Sequence, residues 1–391
     1  MKEKTFQYIV PCHFGTESVL KREILNLGYE IDSVQDGRVF FSADEKAIAR
    51  ANIFLRTAER VLLCVGIFQA RTFDELFEGT KALPWADYIP KNGRFWVKKA
   101  STKNSRLFSS SDIQSIVKKA IVNKLHDAYH ISWFEENGDD YPLRVFILND
   151  VVTIAIDTTG ESLHKRGYRR LAGAAPLSET LAAALIMLTP WHADRILVDP
   201  FCGSGTIPIE AAMIGANIAP GMNRSFTAEN WGNIIPKKDW YEAVTEADDL
   251  IRTDVEMNIQ GYDIDNDVIH VAMNNAREAG VDRYIHFQQR DVRDLHNPKK
   301  YGFIITNPPY GERLEDKETL PALYRQIGES YRGLDSWSMF IITSYEDAQK
   351  YIGRKADRNR KIYNGMIKTY YYQYMGPKPP RRRKERTESQ R

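Results

Sequence analysis

Cysteine is scarce in this sequence of 391 residues, where Cys12, Cys64 and Cys202 lie far apart. The absence of Cys-x-x-Cys spacing argues against a disulfide or zinc framework and favours a reducing compartment. Long apolar runs are also missing, since Val61–Phe68 is far shorter than the roughly 18 residues of a membrane span. The N-terminus lacks the apolar block of a signal peptide. These absences predict a cytoplasmic protein that does not enter a membrane.

A large net charge is missing as well, because 54 Lys and Arg residues nearly balance 52 Asp and Glu residues, for a total of +2. The distribution is uneven. Residues 91–124 hold nine basic residues and one acid, and the tail 376–391 carries +5, so residues 1–375 sum to −3. Such blocks suit a polyanion, although a solvated face is the alternative for any single block. The candidate nucleic-acid contacts are Lys98, Lys99, Lys103, Arg106, Lys118, Lys119, Lys165 and Arg166.

The chain length predicts two or three domains, and 43% hydrophobic residues are enough to build their cores. The first 70 residues read as strand, helix, strand, helix, strand, and residues 73–157 read as a second small α+β unit. From about residue 161 onward, strands and helices alternate. This alternation is typical of a doubly wound, largely parallel sheet.

Acidic residues follow three successive strands of the predicted parallel sheet. Asp199 ends the strand from Arg195 and precedes the glycine turn 200–206, where a carboxylate could hold an amine. Asp263 ends the next strand and is placed to accept both hydroxyls of a ribose. Asp291, after the third strand, suits an acceptor for an adenine amino group. Together they predict a nucleoside-containing ligand at one edge of the sheet.

The sequence Asn307-Pro-Pro-Tyr310 follows the fourth predicted strand. Two prolines fix the backbone and remove two N–H donors, so a carbonyl is presented rigidly beside the Asn307 side-chain oxygen. Those two acceptors can grip an exocyclic amino group. Tyr310 offers a flat face for stacking on a base. A plain Pro-Pro turn is the alternative, which the preceding acids make unfavourable.

These motifs resemble those of class I S-adenosylmethionine-dependent methyltransferases that methylate amines. The segments Leu163–Arg169 and Ala175–Thr180 resemble the linker of THUMP-containing RNA methyltransferases. The resemblance implies α/β architecture, with a Rossmann-like seven-stranded methyltransferase domain preceded by α+β ferredoxin-like and THUMP domains. The expected boundaries are 1–66 for the ferredoxin-like domain, 67–158 for the THUMP domain, 159–375 for the methyltransferase domain and 376–391 for a flexible basic tail.

The resemblance also implies S-adenosylmethionine as cofactor and N2-methylguanosine in structured RNA as product, with ribosomal RNA of the large subunit favoured over transfer RNA. Bulky Phe201 stands where many methyltransferases carry glycine. The implied catalytic residues are Asn307, Pro308, Pro309 and Tyr310. The implied cofactor contacts are Asp199, Pro200, Phe201, Gly203, Gly205, Thr206, Asp263, Ile264, Asp291, Val292 and Asn307.

Two further alternatives stay open, besides a transfer RNA substrate. The Asn-Pro-Pro-Tyr turn also serves enzymes that methylate adenine or glutamine amines, and a non-catalytic RNA-binding assembly factor could retain the same fold.

His126 and His130 have the spacing of a zinc pair, but no third ligand is identifiable, so no metal is expected. The long crossover at 215–257, with Trp231 and Trp240, is expected to cover the site.

Overall fold

The computed structural model describes residues 5–169, 177–311 and 316–380. Its first half contains seven strands and four α-helices in the described part. Their bounds are β1 (Phe6–Pro11), α1 (Glu17–Asn26), β2 (Ile31–Gln35), β3 (Arg38–Ala43), α2 (Lys46–Phe54), β4 (Leu62–Gln69), α3 (Phe73–Lys81), β5 (Arg94–Lys103), α4 (Ser110–Tyr129), β6 (Asp140–Leu148) and β7 (Val151–Asp157).

The two small α+β units share one continuous seven-stranded sheet of order β2-β3-β1-β4-β7-β6-β5. The joint is the antiparallel pair of β4 and β7, in which Leu63 faces Ile156. The boundary expected at 66/67 falls within β4, so the same strand serves both units. The described tail ends at residue 380, and residues 381–391 of the expected basic tail lie outside the described part.

The second half contains seven further strands. The bounds are α5 (Glu179–Met187), β8 (Leu197–Asp199), α6 (Thr206–Gly215), α7 (Lys237–Asp249), β9 (Ile259–Asp263), α8 (Asn266–Glu278), β10 (Ile285–Gln289), β11 (Phe303–Thr306), α9 (Asp316–Arg332), β12 (Ser338–Thr343), α10 (Ala348–Ile352), β13 (Arg358–Asn364) and β14 (Ile367–Tyr374). They form a second sheet of order β10-β9-β8-β11-β12-β14-β13, in which β14 is antiparallel to both of its neighbours.

The parallel strands of this second sheet run in the same direction, so their carboxyl ends lie along one edge, which we call the carboxyl edge. Burial on both faces explains the apolar sequences of β11 (Phe303–Thr306) and β12 (Ser338–Thr343), whose residues are all buried. Helix α6 is buried along almost its whole length. Within the described ranges, the helices are too short or too polar to cross a bilayer.

The crossover between α6 and β9 packs against the first sheet, and the expectation that it covers the site was wrong. The Trp231 ring stacks on Tyr141 with a centroid distance of 4.9 Å, and its indole N–H donates to the Asp140 carbonyl at 2.9 Å. Helix α7 lies beside α2, where the Arg50 guanidinium pairs with Glu246 at 2.7 Å. The segment between α6 and β9, which we call the crossover strap, joins the two halves of the protein through these contacts, and its buried aromatic rings hold it in place.

Candidate active site

The carboxyl edge brings the two halves of the predicted site together through one buried contact. The Thr306 hydroxyl donates a 2.6 Å hydrogen bond to Oδ1 of Asp199, and the Phe201 N–H donates to the same oxygen at 3.2 Å. Asp199 is 1% exposed. Burial raises the pKa of its carboxyl to about 7, although both hydrogen bonds oppose that shift. Because the buried carboxylate has lost its hydrating water, a cation that binds beside it would stabilise its charge strongly.

The glycine turn after β8 leaves room for a ligand beside the backbone. Gly203 has φ +51°, and no heavy atom lies within 4 Å of the position where a Cβ would stand. Gly205 has φ +85°, and a Cβ there would meet Phe287 at 3.0 Å and Ala272 at 3.1 Å. A side chain is therefore disfavoured at both positions. Thr206 begins α6, whose first N–H groups follow the turn.

Asp263 lies directly across this turn. Its Oδ2 accepts a 3.1 Å hydrogen bond from the Gly203 N–H, and its Oδ1 accepts one from the Asp265 N–H at the same distance. A carboxylate offers about four lone-pair positions, so acceptor capacity for ribose hydroxyls is left over. The next side chain, Ile264, is 66% exposed although it is apolar. An exposed isoleucine beside this acid suits contact with the flat face of a nucleobase.

Asp291 and Val292 follow β10, as the sequence predicts. The Asp291 carboxylate accepts from the backbone N–H of Arg293 at 2.8 Å and from its guanidinium at 2.6 Å. These bonds lower the pKa of the Asp291 carboxyl. Val292 is 6% exposed and packs into the hydrophobic core behind the edge. Both residues lie at the carboxyl edge, and Asp291 keeps its charge at neutral pH.

The Asn-Pro-Pro-Tyr turn directly follows β11 and is half exposed. Pro308 is buried and Pro309 is exposed, and the Tyr310 hydroxyl donates to the side-chain oxygen of Asn307. Tyr310 therefore lies over the acceptor expected to bind an amine. A carbonyl oxygen has two lone pairs, so it can accept a second hydrogen bond, or the tyrosine can turn away towards a base.

Helix α9 braces the turn through a contact that the sequence analysis missed. The Tyr324 hydroxyl donates to the Pro309 carbonyl at 3.3 Å and also bonds the Thr343 hydroxyl at 2.6 Å. Burial raises the pKa of the Tyr324 hydroxyl above its ordinary value, so the hydroxyl keeps its proton at neutral pH and can donate it in a hydrogen bond. No feature of the sequence links Tyr324 to residues 307–310. Thr306 was also missed, although its place before Asn307 at a strand end was a usable signal.

The linker arginines lie behind the site, and Arg166 does not face solvent. Its guanidinium pairs with Glu210 of α6 at 3.4 Å and donates to the carbonyls of Arg56 and Leu163. Arg166 is 3% exposed and Glu210 is fully buried. The expectation that Arg166 contacts RNA is therefore wrong, because its charge is already neutralised inside the protein. Arg169, which was not predicted, donates to the Thr206 hydroxyl at the start of α6.

The other predicted nucleic-acid contacts are exposed. A β-bulge between Val97 and Lys99 disturbs the alternation of β5, and both Lys98 and Lys99 reach solvent. Lys103 and Arg106 follow on β5 and the next loop, and the two lysines of α4 are also exposed. Lys118 pairs with Glu136 at 3.6 Å, and Lys165 pairs with Glu161 at 3.0 Å. Exposed pairs of this kind are weak and can exchange for phosphate.

Residues of the first sheet, the linker and the crossover strap together line a polar cleft of about 970 Å³. Gly160, Lys165 and Arg224 line it, and the Lys98 ammonium lies 3.4 Å from the Gly160 carbonyl. The basic surface of β5 therefore continues into this cleft. The described ranges contain no group of three or more His, Cys, Asp or Glu side chains suited to a metal ion.

Models of three protein families match the chain in order. Residues 7–62 match the RlmL ferredoxin-like domain, residues 70–157 match the THUMP domain, and residues 166–373 match the RMKL-like methyltransferase domain. The three matched segments correspond to the two units of the first sheet and to the second sheet. The fold class that the sequence predicts is therefore confirmed.

Relatives of similar sequence and of solved structure agree with these matches. YpsC of Bacillus subtilis, provisionally named an RNA methyltransferase, is 46% identical over 97% of this chain and 99% of its own length. The ribosomal RNA large subunit methyltransferase K/L of Cellvibrio japonicus is 32% identical over 92% of the chain, which spans 50% of that relative. The structure of SMU.472, provisionally named a methyltransferase and complexed with SAH, has a TM-score of 0.91 and 42% identity, covering 97% of this chain and 100% of that one.

Proposed function

The chain belongs to the THUMP-containing, S-adenosylmethionine-dependent class I RNA methyltransferases, and we propose that it forms N2-methylguanosine in large-subunit ribosomal RNA. The observation that carries the proposal is the hydrogen bond between Thr306 and Asp199. It joins the strand that leads into the Asn-Pro-Pro-Tyr turn to the strand that leads into the glycine turn. In this proposal, an amine held by the first turn would lie next to a methyl donor held by the second.

The glycine turn and its acids form the proposed cofactor half of the site. Bound S-adenosylmethionine supplies a methyl group on an activated sulfonium, so position and electrostatics are what the protein must add. The Asp199 carboxylate would hold the amino group of the cofactor's methionine part. Asp263 would accept from the ribose hydroxyls, and Ile264 would cover the adenine. Asp291 would accept from the adenine amino group.

The Asn-Pro-Pro-Tyr turn forms the proposed substrate half. The Asn307 side-chain oxygen and the Pro308 carbonyl would accept the two hydrogens of the guanine N2 amine. Those two bonds localise the nitrogen lone pair and direct it at the methyl carbon. Tyr310 would stack on the guanine, which must be unpaired or flipped out of its helix. The Tyr324 hydroxyl keeps the turn in place through the Pro309 carbonyl.

Ribosomal RNA is favoured over transfer RNA by the K/L relative, whose name states a ribosomal substrate. Guanine is favoured over adenine or glutamine by the ferredoxin-like and THUMP domains that precede the methyltransferase domain. The exposed lysines of β5 and α4, with Lys165 at the cleft, would bind the phosphates of that RNA. Strand β5 and helix α4 belong to the first half of the protein and the carboxyl edge to the second, so the RNA would extend across both halves.

Methyl transfer in vitro separates these candidates. Purified protein is incubated with methyl-labelled S-adenosylmethionine and either ribosomal or transfer RNA from a strain that lacks the gene, and the RNA is digested to nucleosides. The proposal expects label in N2-methylguanosine from the ribosomal fraction. Label in N6-methyladenosine, or label confined to transfer RNA, would overturn the substrate assignment. Binding of both RNA and cofactor without any transfer would support a non-catalytic factor.

A further inference from the structure

The hairpin of β13 and β14 projects beyond the carboxyl edge that holds the candidate site. Thr343, the last residue of β12, pairs with Tyr370 of β14. Strand β14 begins three residues earlier, at Ile367, so the hairpin continues roughly 10 Å past the end of β12 at the usual rise of a strand. Strand β12 also pairs with β11, which leads into Asn307. The tip of the hairpin therefore stands on the substrate side of the site.

An apolar side chain forms the tip itself. The turn between Asn364 and Ile367 consists of Gly365 and Met366, and Gly365 has φ +59°, as the first central position of a tight hairpin turn requires. Met366 is 97% exposed, and Ile367 beside it is 37% exposed. A methionine with this exposure contributes almost nothing to packing. Apolar residues in such positions on nucleic-acid-binding proteins insert between bases and unstack them.

The charge of the hairpin suits a polyanion. Residues 358–374 contain four basic residues and no Asp or Glu. Lys361 and Lys368 are exposed, and their ammonium groups lie 5.2 Å and 5.1 Å from the rings of Tyr363 and Tyr370. These ring contacts hold the two cations close to the hairpin. Phosphates on either side of an inserted side chain would meet them.

The hairpin is braced against the first sheet. The Arg360 guanidinium donates to the Gly15 carbonyl at 2.9 Å, and the Phe14 ring contacts Tyr363 edge-on at 5.6 Å. The imidazole Nδ1 of His13 lies 3.1 Å from the Tyr363 carbonyl. Contacts from the loop after β1 thus hold the hairpin as far as Tyr363, two residues before the turn. A hairpin held in this way can keep its tip between stacked bases, whereas an unsupported loop would be displaced by them.

We propose that the hairpin is a second RNA contact, in which Met366 inserts beside the target nucleotide and keeps the target base out of its stack. Lys361 and Lys368 bind the flanking phosphates. The inference rests on the proposed function, since it assigns the partner as RNA and the site as the Asn-Pro-Pro-Tyr turn. It adds a substrate-positioning residue that lies outside the turn and outside the lysine-rich surface of β5 and α4.

Site-specific crosslinking tests this contact separately from methyl transfer. Cys12, Cys64 and Cys202 are buried, so a Met366→Cys variant carries a reactive thiol that can be labelled with a photo-crosslinker. The matched control is Met375→Cys, which lies just beyond the other end of β14 and is 38% exposed. The probe is ribosomal RNA from a strain that lacks the gene. The inference expects at least tenfold more crosslinking from position 366. Equal yields, or no RNA at either position, would overturn it.

A second measurement tests whether the contact matters for the reaction. The Met366→Ser variant should lose at least tenfold in kcat/KM for the same RNA. Its cofactor affinity and thermal midpoint should stay unchanged, because the Met366 side chain is almost fully exposed. Met366→Leu should retain most activity. Full activity in Met366→Ser would refute the positioning role. If the Met366→Cys variant crosslinks to the RNA but the wild type transfers no methyl group, the proposed function is refuted and the contact stands.

Discussion

The Thr306 hydroxyl lies 2.6 Å from the Asp199 carboxylate, across the neighbouring strands β11 and β8. Each strand ends in one half of the candidate site, so this buried hydrogen bond joins the residue before the Asn-Pro-Pro-Tyr turn to the residue before the glycine turn. The same burial raises the pKa of Asp199 to about 7. Under the proposed assignment of Asp199, cofactor binding and protonation would compete at one carboxyl group.

Cofactor affinity should depend on pH in a direction that follows from this raised pKa. The ammonium of S-adenosylmethionine needs the ionised carboxylate, and the fraction ionised increases as the pH rises to about 7. Calorimetric titration should show affinity rising about tenfold per pH unit below 7 and levelling off above it. Asp199→Asn should bind weakly and with little pH dependence. An equally steep profile in the variant would show that another group titrates.

Tyr310 should act through its ring, because its hydroxyl bonds the oxygen that the substrate amine needs. Tyr310→Phe keeps the stacking surface and removes this competition, so its rate of methyl transfer should equal or exceed that of the wild type. Tyr310→Ala should lose about 10- to 100-fold, since stacking on a base contributes roughly 1–3 kcal/mol. Equal losses in both variants would assign an essential role to the hydroxyl.

The lysines of β5 should set the salt dependence of RNA binding. Replacing Lys98, Lys99 and Lys103 by alanine should reduce the slope of log K against log salt by roughly 2–3, because each phosphate contact contributes about 0.7–0.9. Alanine at Lys21, Lys237 and Lys299, which are exposed elsewhere, is the matched control. Filter binding from 50 to 300 mM salt measures the slope. Similar slopes in both triple variants would place the RNA on another surface.

Arg166 and Glu210 should prove to be structural, unlike the exposed lysines. Removing one partner leaves a buried charge without compensation, which typically costs about 3–5 kcal/mol. Arg166→Met should therefore lower the thermal midpoint by several degrees. The double variant Arg166→Met, Glu210→Gln should recover part of that loss. If Arg166→Met keeps its midpoint and weakens RNA binding alone, the contact with Glu210 does not dominate in solution.

Local patterns in the sequence predict most strands. In β8 and β11, for example, an apolar run is followed directly in the sequence by the turn residues that end the strand. Strand β2 (Ile31–Gln35) was not predicted, since it is mostly exposed and lacks an apolar alternation. The union of the two α+β units also escaped prediction. It depends on the pairing of Leu63 with Ile156, and no short-range pattern specifies a partner so far along the chain.

The candidate site follows the same division. The positions of Asp199, Asp263 and Asn307 at the carboxyl edge were predictable, because each lies at or directly after the end of a strand that is recognisable from its sequence. Arg166 was assigned to the wrong surface, since its burial depends on Glu210, 44 positions away. Tyr324 was missed because a helical tyrosine is usually a core residue and nothing local marks its contact with Pro309. Chemistry carried by one segment is therefore predictable, whereas chemistry carried by contacts between segments required the structure.

The most direct test of the account is mass mapping of N2-methylguanosine in ribosomal RNA from a strain that lacks the gene, with plasmid copies of the wild type and of Asn307→Ala. We expect one N2-methylguanosine to disappear from the large-subunit RNA, to return with the wild type and to stay absent with Asn307→Ala, although the variant is expressed and binds RNA. An unchanged set of N2-methylguanosines in the deletion strain, or a mark restored by Asn307→Ala, would contradict it.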